Sequence, residues 1–220
     1  MIKIKAVLFD QDGVILDSES TNKKSVNAIF KKYNITREGG DRRFKGMSIR
    51  KIFEETFSPE LKIRIDEILK ERREIFKKLA KKEIRVFDGF FELINILKNK
   101  YKLALVTSAS KETLDFNKKN LLNKEDIFDL EITSDDFKKS KPNPEPYIVA
   151  AKKLNLKPEE CLVIEDSING LISAKSAGMK VIAITNSFKK EELEKVNPDK
   201  VIFSLRDITL DLIDKIERSN

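Results

Sequence analysis

The stretch KIKAVLFDQDGVILD, Lys3 to Asp17, sets the architecture expected of the whole chain. Ala6 to Phe9 is apolar without alternation, as a strand buried on both faces of a parallel sheet is. The run ends in Asp10 and Asp12, with Gln11 between them and Gly13 directly after. The chain therefore leaves the sheet at its carboxyl edge, where open α/β sheets bind ligands, and turns on a residue tolerant of positive φ. In extended backbone, residues two apart project to one side, so Asp10 and Asp12 are expected to face one cavity with Gln11 turned away. Two carboxylates that close repel, and a hard divalent cation is their expected companion. Mg²⁺ takes oxygen ligands and commonly meets one or two carboxylates plus a substrate phosphate. Standing alone, the same residues would also serve as a solvated turn.

The 220 residues, 40% of them apolar, suffice for one domain carrying a sizeable insertion or for two modest domains. Cys161, the single cysteine, opens the apolar run CLVIED and rules out an internal disulfide framework. No apolar run approaches the ~18 residues of a membrane helix, and Asp10 interrupts the N-terminal run too early for a signal segment. A soluble, cytoplasmic, monomeric protein is expected, with no membrane partner. The net charge of +7 is uneven: Ser20 to Glu83 holds 19 Lys and Arg against 10 Asp and Glu, leaving the remainder at −2. No nucleic-acid motif accompanies the basic segment and the chain has no Trp, so no nucleic-acid partner is expected. A basic lid over an acidic, metal-loaded pocket favours small phosphorylated anions. A heat-adapted or simply solvated helical surface would carry the same charge.

Ser18 to Asn34 has the helical period, with Val26, Ile29, Phe30 and Tyr33 on one face, and Asn34, Gly39 and Gly40 end it. Ile49, Ile52, Phe53 and Phe57 repeat the pattern up to Pro59. One long third helix is expected from the stripe Leu61, Ile65, Ile68, Leu69, Arg72, Ile75, Phe76 and Leu79. Three helices with no strand between them make a small bundle inserted after the first strand. The expected division is a core of residues 1–17 and 84–220 and a helical insertion of residues 18–83. Beyond the insertion, short apolar runs alternate with helical patterns, the signal of βαβ units around a parallel sheet. Strands are expected at Leu103–Val106, Leu130–Thr133, Leu162–Glu165, Val181–Thr185 and Val201–Phe203. Helices are expected at Phe90–Leu97, Lys111–Leu122, Leu171–Ala177 closed by Gly178, and around Leu210 to Ile216. Asn143 caps a further helix whose first turn carries Pro144 and Pro146.

The strand exits carry polar residues suited to phosphate or metal. Thr107 and Ser108, then Ala109, follow LALV and offer hydroxyls and backbone N–H groups at an expected helix N-terminus. Lys141 of SKPNPEP precedes a proline-stiffened helix start. Glu165 and Asp166 follow LVI at the edge shared with Asp10 and Asp12, and Ser167, Asn169 and Gly170 make the next turn. Singly, each is commonplace: a hydroxyl is more often an N-cap, a lysine more often solvated, and two acids can make a turn.

Four motifs in this order resemble the haloacid dehalogenase superfamily, in its phosphatase and β-phosphoglucomutase-like members with a small helical cap. They are DxDGV at Asp10 to Val14, Thr107 and Ser108 after a strand, Lys141 in SKPxP, and IEDSxxG at Ile164 to Gly170. The resemblance runs over nearly the whole chain. It implies an α/β fold, a Rossmann-like parallel-sheet core with the inserted helices as a cap. It also implies a Mg²⁺-dependent phosphatase acting on a small phosphorylated metabolite such as a sugar phosphate. Asp10 would be the nucleophile and Asp12 the general acid/base. Lys141, Ala109 and either Thr107 or Ser108 would hold the phosphate. Asp10, Asp12 and Asp166 would form the metal site, with Glu165 acting directly or through water.

A carboxylate attacking a phosphoryl group needs its own charge and that of the phosphate offset, which Mg²⁺ and Lys141 would supply. An aspartyl phosphate on Asp10 splits one difficult transfer into two. Asp12 can protonate the leaving oxygen and later deprotonate water. The chain has no histidine, so a carboxylate must move the proton.

Within the family, dehalogenases attack carbon and lack the second aspartate, which is present here as Asp12. Phosphonatases use a cap lysine, for which Lys45 in FKGMS is the candidate. KGMS, Lys45 to Ser48, also resembles the mutase cap loop, where Gly46 would let backbone approach the substrate. Asn22 stands where mutases have a histidine, and Ile49 where they have an arginine, with Arg50 one place on. Arg43, Lys45 and Arg50 are left to hold the second phosphate a mutase needs, so phosphatase is preferred to mutase. A non-catalytic phosphate-binding protein of this fold is disfavoured because every matched position is intact. Cap hinges are expected near Leu16 to Ser18 and Lys82 to Phe87.

Overall fold

The structure is a computed structural model that describes residues 3–36, 48–122 and 126–219. Among these residues, six strands form one parallel sheet: β1 (Ala6–Phe9), β2 (Lys102–Val106), β3 (Leu130–Ile132), β4 (Cys161–Glu165), β5 (Lys180–Ile184) and β6 (Lys200–Ile202). Their order is β3-β2-β1-β4-β5-β6, so the chain builds outward from β1 in both directions. Phe9 pairs with Leu105 of β2 on one side and Ile164 of β4 on the other. Such a reversal of strand order opens a crevice at the carboxyl edge, and Asp10 is the first residue beyond it.

All four residues of β1 are buried, as its unalternating composition requires. On one face of the sheet Leu8, Val106, Val163 and Val181 pack with Tyr147, Ala150 and Leu171. A truncation such as Leu8→Ala in this layer would cost about 2–5 kcal/mol, because a central strand has no room to collapse into the void. Tyr147 and Ala150 come from α7 (Glu145–Lys153), and Leu171 from α8 (Ile168–Ser176), which Gly178 closes at φ +84°. The remaining helices beyond the insertion are α5 (Phe90–Leu97), α6 (Lys111–Asn117), the short α9 (Lys190–Leu193) and α10 (Leu210–Arg218).

The chain divides into two compact units, residues 1–17 with 86–220, and residues 18–85. In the larger unit, the segments that leave and return pair with each other: Leu16 and Val86 form an antiparallel bridge, and Phe87 N donates to Ile15 O at 2.9 Å. The smaller unit comprises α1 (Glu19–Lys32), α2 (Ile49–Thr56), α3 (Pro59–Ile63) and α4 (Ile65–Glu83). Val26, Ile29 and Phe30 of α1 meet Ile65 and Ile68 of α4 in its core, where the Phe53 and Phe57 rings stack 4.5 Å apart.

Three elements differ from expectation. The stripe from Leu61 to Leu79 is two helices, because Arg64, at φ −101° and ψ 15°, closes a turn onto Leu61 O and breaks the regular ladder. The helix starting at Lys111 ends at Asn117 and widens into a π-helical turn over Lys118–Leu122. α9 was not expected, since only Leu193 of it is buried and one apolar residue carries no period. No helix among the described residues is long and apolar enough to cross a membrane.

Candidate active site

β1, β2 and β4 end side by side, and their last ladder bonds fix the residues just beyond them. Asp10 N donates to Ile164 O at 3.1 Å, and Thr107 N to Ile132 O at 2.9 Å. Lys141, just before α7, enters between these exits. Its Nζ donates to Asp10 Oδ1 at 2.6 Å, Glu165 Oε1 at 2.7 Å and Val106 O at 3.1 Å. An ammonium has three protons, so each has an acceptor.

Glu165 is wholly buried and fully engaged. Its Oε1 accepts from Lys141 and, at 2.9 Å, from the Tyr147 hydroxyl. Its Oε2 accepts from Asp166 N and Ser167 N, both at 3.1 Å, and from Ser167 Oγ at 3.0 Å. Ser167 also caps α8, accepting from Gly170 N at 3.0 Å. Gly170 leaves room for the carboxylate, since a Cβ there would lie 1.8 Å from Glu165 Oε1.

Asp166 accepts from the Ser187 hydroxyl and lies against Gly13. Gly13 has φ +89°, and a Cβ on it would fall 1.8 Å from Asp166 Oδ2. Asn186 Nδ2 donates to Gly13 O at 2.7 Å, so the exit of β5 braces the same turn. Carboxylate oxygens of Asp10, Glu165 and Asp166 lie within 4.8 Å of one another. Burial first, and then the neighbouring carboxylates, push the Asp10 and Asp166 carboxyls above the ordinary range, against the pull of Lys141. Burial would lower the Lys141 ammonium, but Asp10 and Glu165 overcome it and hold it well above the usual lysine range. Three carboxylates against one ammonium leave an excess of negative charge in a dry site, and an all-oxygen donor set fits a hard divalent cation.

The other expected site residues are placed as follows. Asp12 is half-buried, its Oδ2 accepts from Gln11 Nε2 at 3.3 Å, and its carboxylate is not one of the three clustered above. Gln11, expected to turn away, is itself buried, and its Oε1 has no partner among the described residues. Thr107 is wholly buried and its Oγ1 accepts from Ala109 N at 3.0 Å, whereas Ser108 is exposed. The helix N-terminus expected at these residues lies further on, because Ser110 takes the cap, accepting from Thr113 N at 3.4 Å. Lys45, Gly46 and Arg43 lie outside the described residues. In the smaller unit Asn22 accepts from the buried Arg72, and Arg50 is paired with Asp66.

Tyr147, Asn186 and Ser187 were not singled out from sequence. Tyr147 reads as one more apolar position on a helix. Asn186 and Ser187 follow VIAIT as Thr107 and Ser108 follow LALV, so the same attention to strand exits would have found them.

Residues 7–184 match the model of the haloacid dehalogenase-like hydrolases. YhcW of Bacillus subtilis strain 168, to which a phosphatase activity is ascribed, is 34% identical over 195 residues, covering 83% of this chain and 84% of that one. Pyrophosphatase PpaX of Bacillus cereus strain Q1 is 27% identical across 99% of this chain and 100% of its own length. CbbY of Rhodobacter sphaeroides, solved in complex with xylulose-1,5-bisphosphate, superposes with a TM-score of 0.81 at 25% identity, covering 96% of this chain and 99% of that one. With a family match across most of its length and a relative this similar, the chain belongs to the haloacid dehalogenase-like hydrolases.

Proposed function

We propose that the protein is a cytoplasmic, monomeric, Mg²⁺-dependent phosphatase that hydrolyses a small phosphorylated metabolite, a sugar phosphate or similar, through an aspartyl phosphate on Asp10. The observation that carries this reading is the buried Lys141 ammonium, held between Asp10 and Glu165 at the point where strand order reverses. In the first step Asp10 attacks phosphorus, and the bond to the leaving oxygen breaks as Asp12 gives that oxygen its proton. In the second, Asp12 takes a proton from water, whose oxygen attacks phosphorus and frees Asp10 and inorganic phosphate.

Lys141 offsets charge on the transferred group from a low-dielectric site. Ser108 is the better phosphate hydroxyl, because it is exposed at the strand exit whereas Thr107 is wholly buried. Asp10 and Asp166, with Glu165 behind them, would hold Mg²⁺, which supplies charge neutralisation for the carboxylates and the phosphate. The activities named for YhcW and PpaX support hydrolytic phosphoryl transfer, and the sugar bisphosphate bound to CbbY supports the substrate class. A β-phosphoglucomutase-like role is the alternative: it needs a second phosphate site, for which Arg43, Lys45 and Arg50 are the candidates, Arg50 pairing with Asp66 at the surface and the other two lying outside the described residues.

The test is release of inorganic phosphate from a panel of phosphorylated metabolites, with Mg²⁺ and with EDTA. Mg²⁺-dependent release from at least one sugar phosphate is expected. Isomerisation of a sugar phosphate without phosphate release, or full turnover in EDTA, would overturn the proposal.

A further inference from the structure

Tyr147 is wholly buried on α7, and the face of its ring lies 4.8 Å from Lys141 Nζ. Its hydroxyl donates at 2.9 Å to Glu165 Oε1, the same oxygen that Lys141 reaches at 2.7 Å. A phenylalanine would fill nearly the same volume and present the same ring face. The hydroxyl is thus a polar atom that the core does not require, and burying it is costly unless it is paired. Glu165 draws its remaining donors from Lys141 and from its own strand exit, at Asp166 and Ser167. Tyr147 is the donor that reaches it from a helix, across the layer beneath the sheet edge.

The geometry points to Tyr147 as a positioning residue for phosphoryl transfer: its hydroxyl fixes the Glu165 carboxylate and its ring seats the Lys141 ammonium, so that Lys141 stays directed at Asp10. Without the hydroxyl, Glu165 Oε1 is held by Lys141 alone. Oε2 stays anchored by Asp166 and Ser167, so it is Oε1 that gains room to swing about that anchor, and the ammonium bonded to it shifts away from Asp10. The inference deepens the phosphatase reading and rests on it. Tyr147 touches no reacting atom, so its effect passes through Lys141.

The experiment is Tyr147→Phe, which deletes one oxygen and keeps the ring. With Mg²⁺ and a substrate found in the panel, kcat is expected to fall about tenfold, the low end for partners that orient a site's ligands, with KM little changed. In a Lys141→Met background, with residual turnover followed on an activated aryl phosphate, removing the hydroxyl should change nothing further, because coupled residues are not additive. A merely structural role would slow both backgrounds alike. Unchanged kcat in Tyr147→Phe, or an equal loss with and without Lys141, overturns the proposal.

In lysine-¹⁵N-labelled protein, the Lys141 ammonium should give a slowly exchanging signal with cross-relaxation to the Tyr147 hydroxyl proton. This decides the matter if Tyr147→Phe does not fold, since absence of that signal in the wild type overturns the proposal. It also separates the two readings. No turnover on any phosphate ester would sink the phosphatase assignment, while the ammonium signal would still report whether Tyr147 holds the pair.

Discussion

Asp10 Oδ1 and Lys141 Nζ stand 2.6 Å apart with both side chains almost wholly withdrawn from solvent. Far apart in sequence, they are brought together because β1 and the segment entering α7 end at the same sheet edge. Lys141→Met removes the cation that Asp10 and Glu165 share while keeping a chain of similar length. Loss of one preorganised charged donor typically costs about 10²–10³ in kcat, and breaking a buried ion pair about 3–5 kcal/mol of stability. Phosphate release and thermal unfolding of the variant should both fall by these amounts. A variant as active and as stable as the wild type would exclude any role for Lys141 in balancing the site.

The carboxylate excess predicts how stability depends on pH. Burial, then neighbouring carboxylates, raise Asp166 well above the ordinary range and Asp10 to about 8. In the metal-free protein the folded state therefore keeps protons that the unfolded chain has released. Between about pH 4 and pH 8, stability should fall as pH rises, by at most about 1.4 kcal/mol per pH unit for each such proton. For a chain of this size each kcal/mol is about 2–4 °C in Tm. The chain has no histidine to complicate that window. Under the proposed function, saturating Mg²⁺ would bind the deprotonated carboxylates, so it should flatten or reverse the slope. Thermal unfolding in EDTA and in Mg²⁺ across this range checks both signs, and a Tm in EDTA that rises with pH would contradict them.

β3, which is Leu130-Glu131-Ile132, and β6, which opens on Lys200, are short edge strands with weaker signals. β1, β2, β4 and β5 were legible because each carries a run of apolar residues without alternation. Their polar exits were legible for the same reason: Asp10, Thr107, Glu165 and Asp166 are the first residues after such runs. What the sequence concealed depends on packing across the chain. The break at Arg64 lies inside an unbroken apolar stripe, and periodicity does not register one residue leaving the helical region. That Gln11 is buried, and that Thr107 is enclosed while Ser108 is exposed, follows from which face of the turn the sheet covers. Tyr147 and Ser187 reach Glu165 and Asp166 only through the third dimension, and a tyrosine at a core position carries no mark of what its hydroxyl meets.

Gly170 offers a test in which helix propensity and packing oppose each other. It lies in the first turn of α8, where alanine is ordinarily favoured over glycine by about 1 kcal/mol. A Cβ there would sit 1.8 Å from Glu165 Oε1 and must displace the carboxylate that Lys141 and Tyr147 hold. Overpacking of this kind costs about 1–3 kcal/mol, enough to reverse the propensity gain. Gly170→Ala should therefore lower both Tm and kcat. A stabilised, fully active variant would mean that Glu165 is freer to move than its hydrogen bonds indicate.

Asp10 and Asp12 are separated most sharply by the choice of substrate. Asp10 lies against Lys141 and within the three-carboxylate cluster, while Asp12 stands outside that cluster, half-buried beside Gln11. Asp10→Asn should remove the attacking carboxylate and abolish measurable turnover, yet leave part of the Mg²⁺ and phosphate binding, because an amide keeps an oxygen ligand. Asp12→Asn should lose only proton transfer, which typically contributes ~10²–10⁴ in rate, or about 3–5 kcal/mol of barrier. That loss should shrink with an activated aryl phosphate, whose leaving oxygen needs no proton. With such a substrate Asp12→Asn should still become phosphorylated at Asp10, seen as a mass increase on the intact protein, while hydrolysis of the phosphorylated form slows for want of a base. Wild-type turnover by Asp10→Asn, or a phosphoryl label mapping to Ser108 or Thr107, would show that the chemistry runs through a different nucleophile.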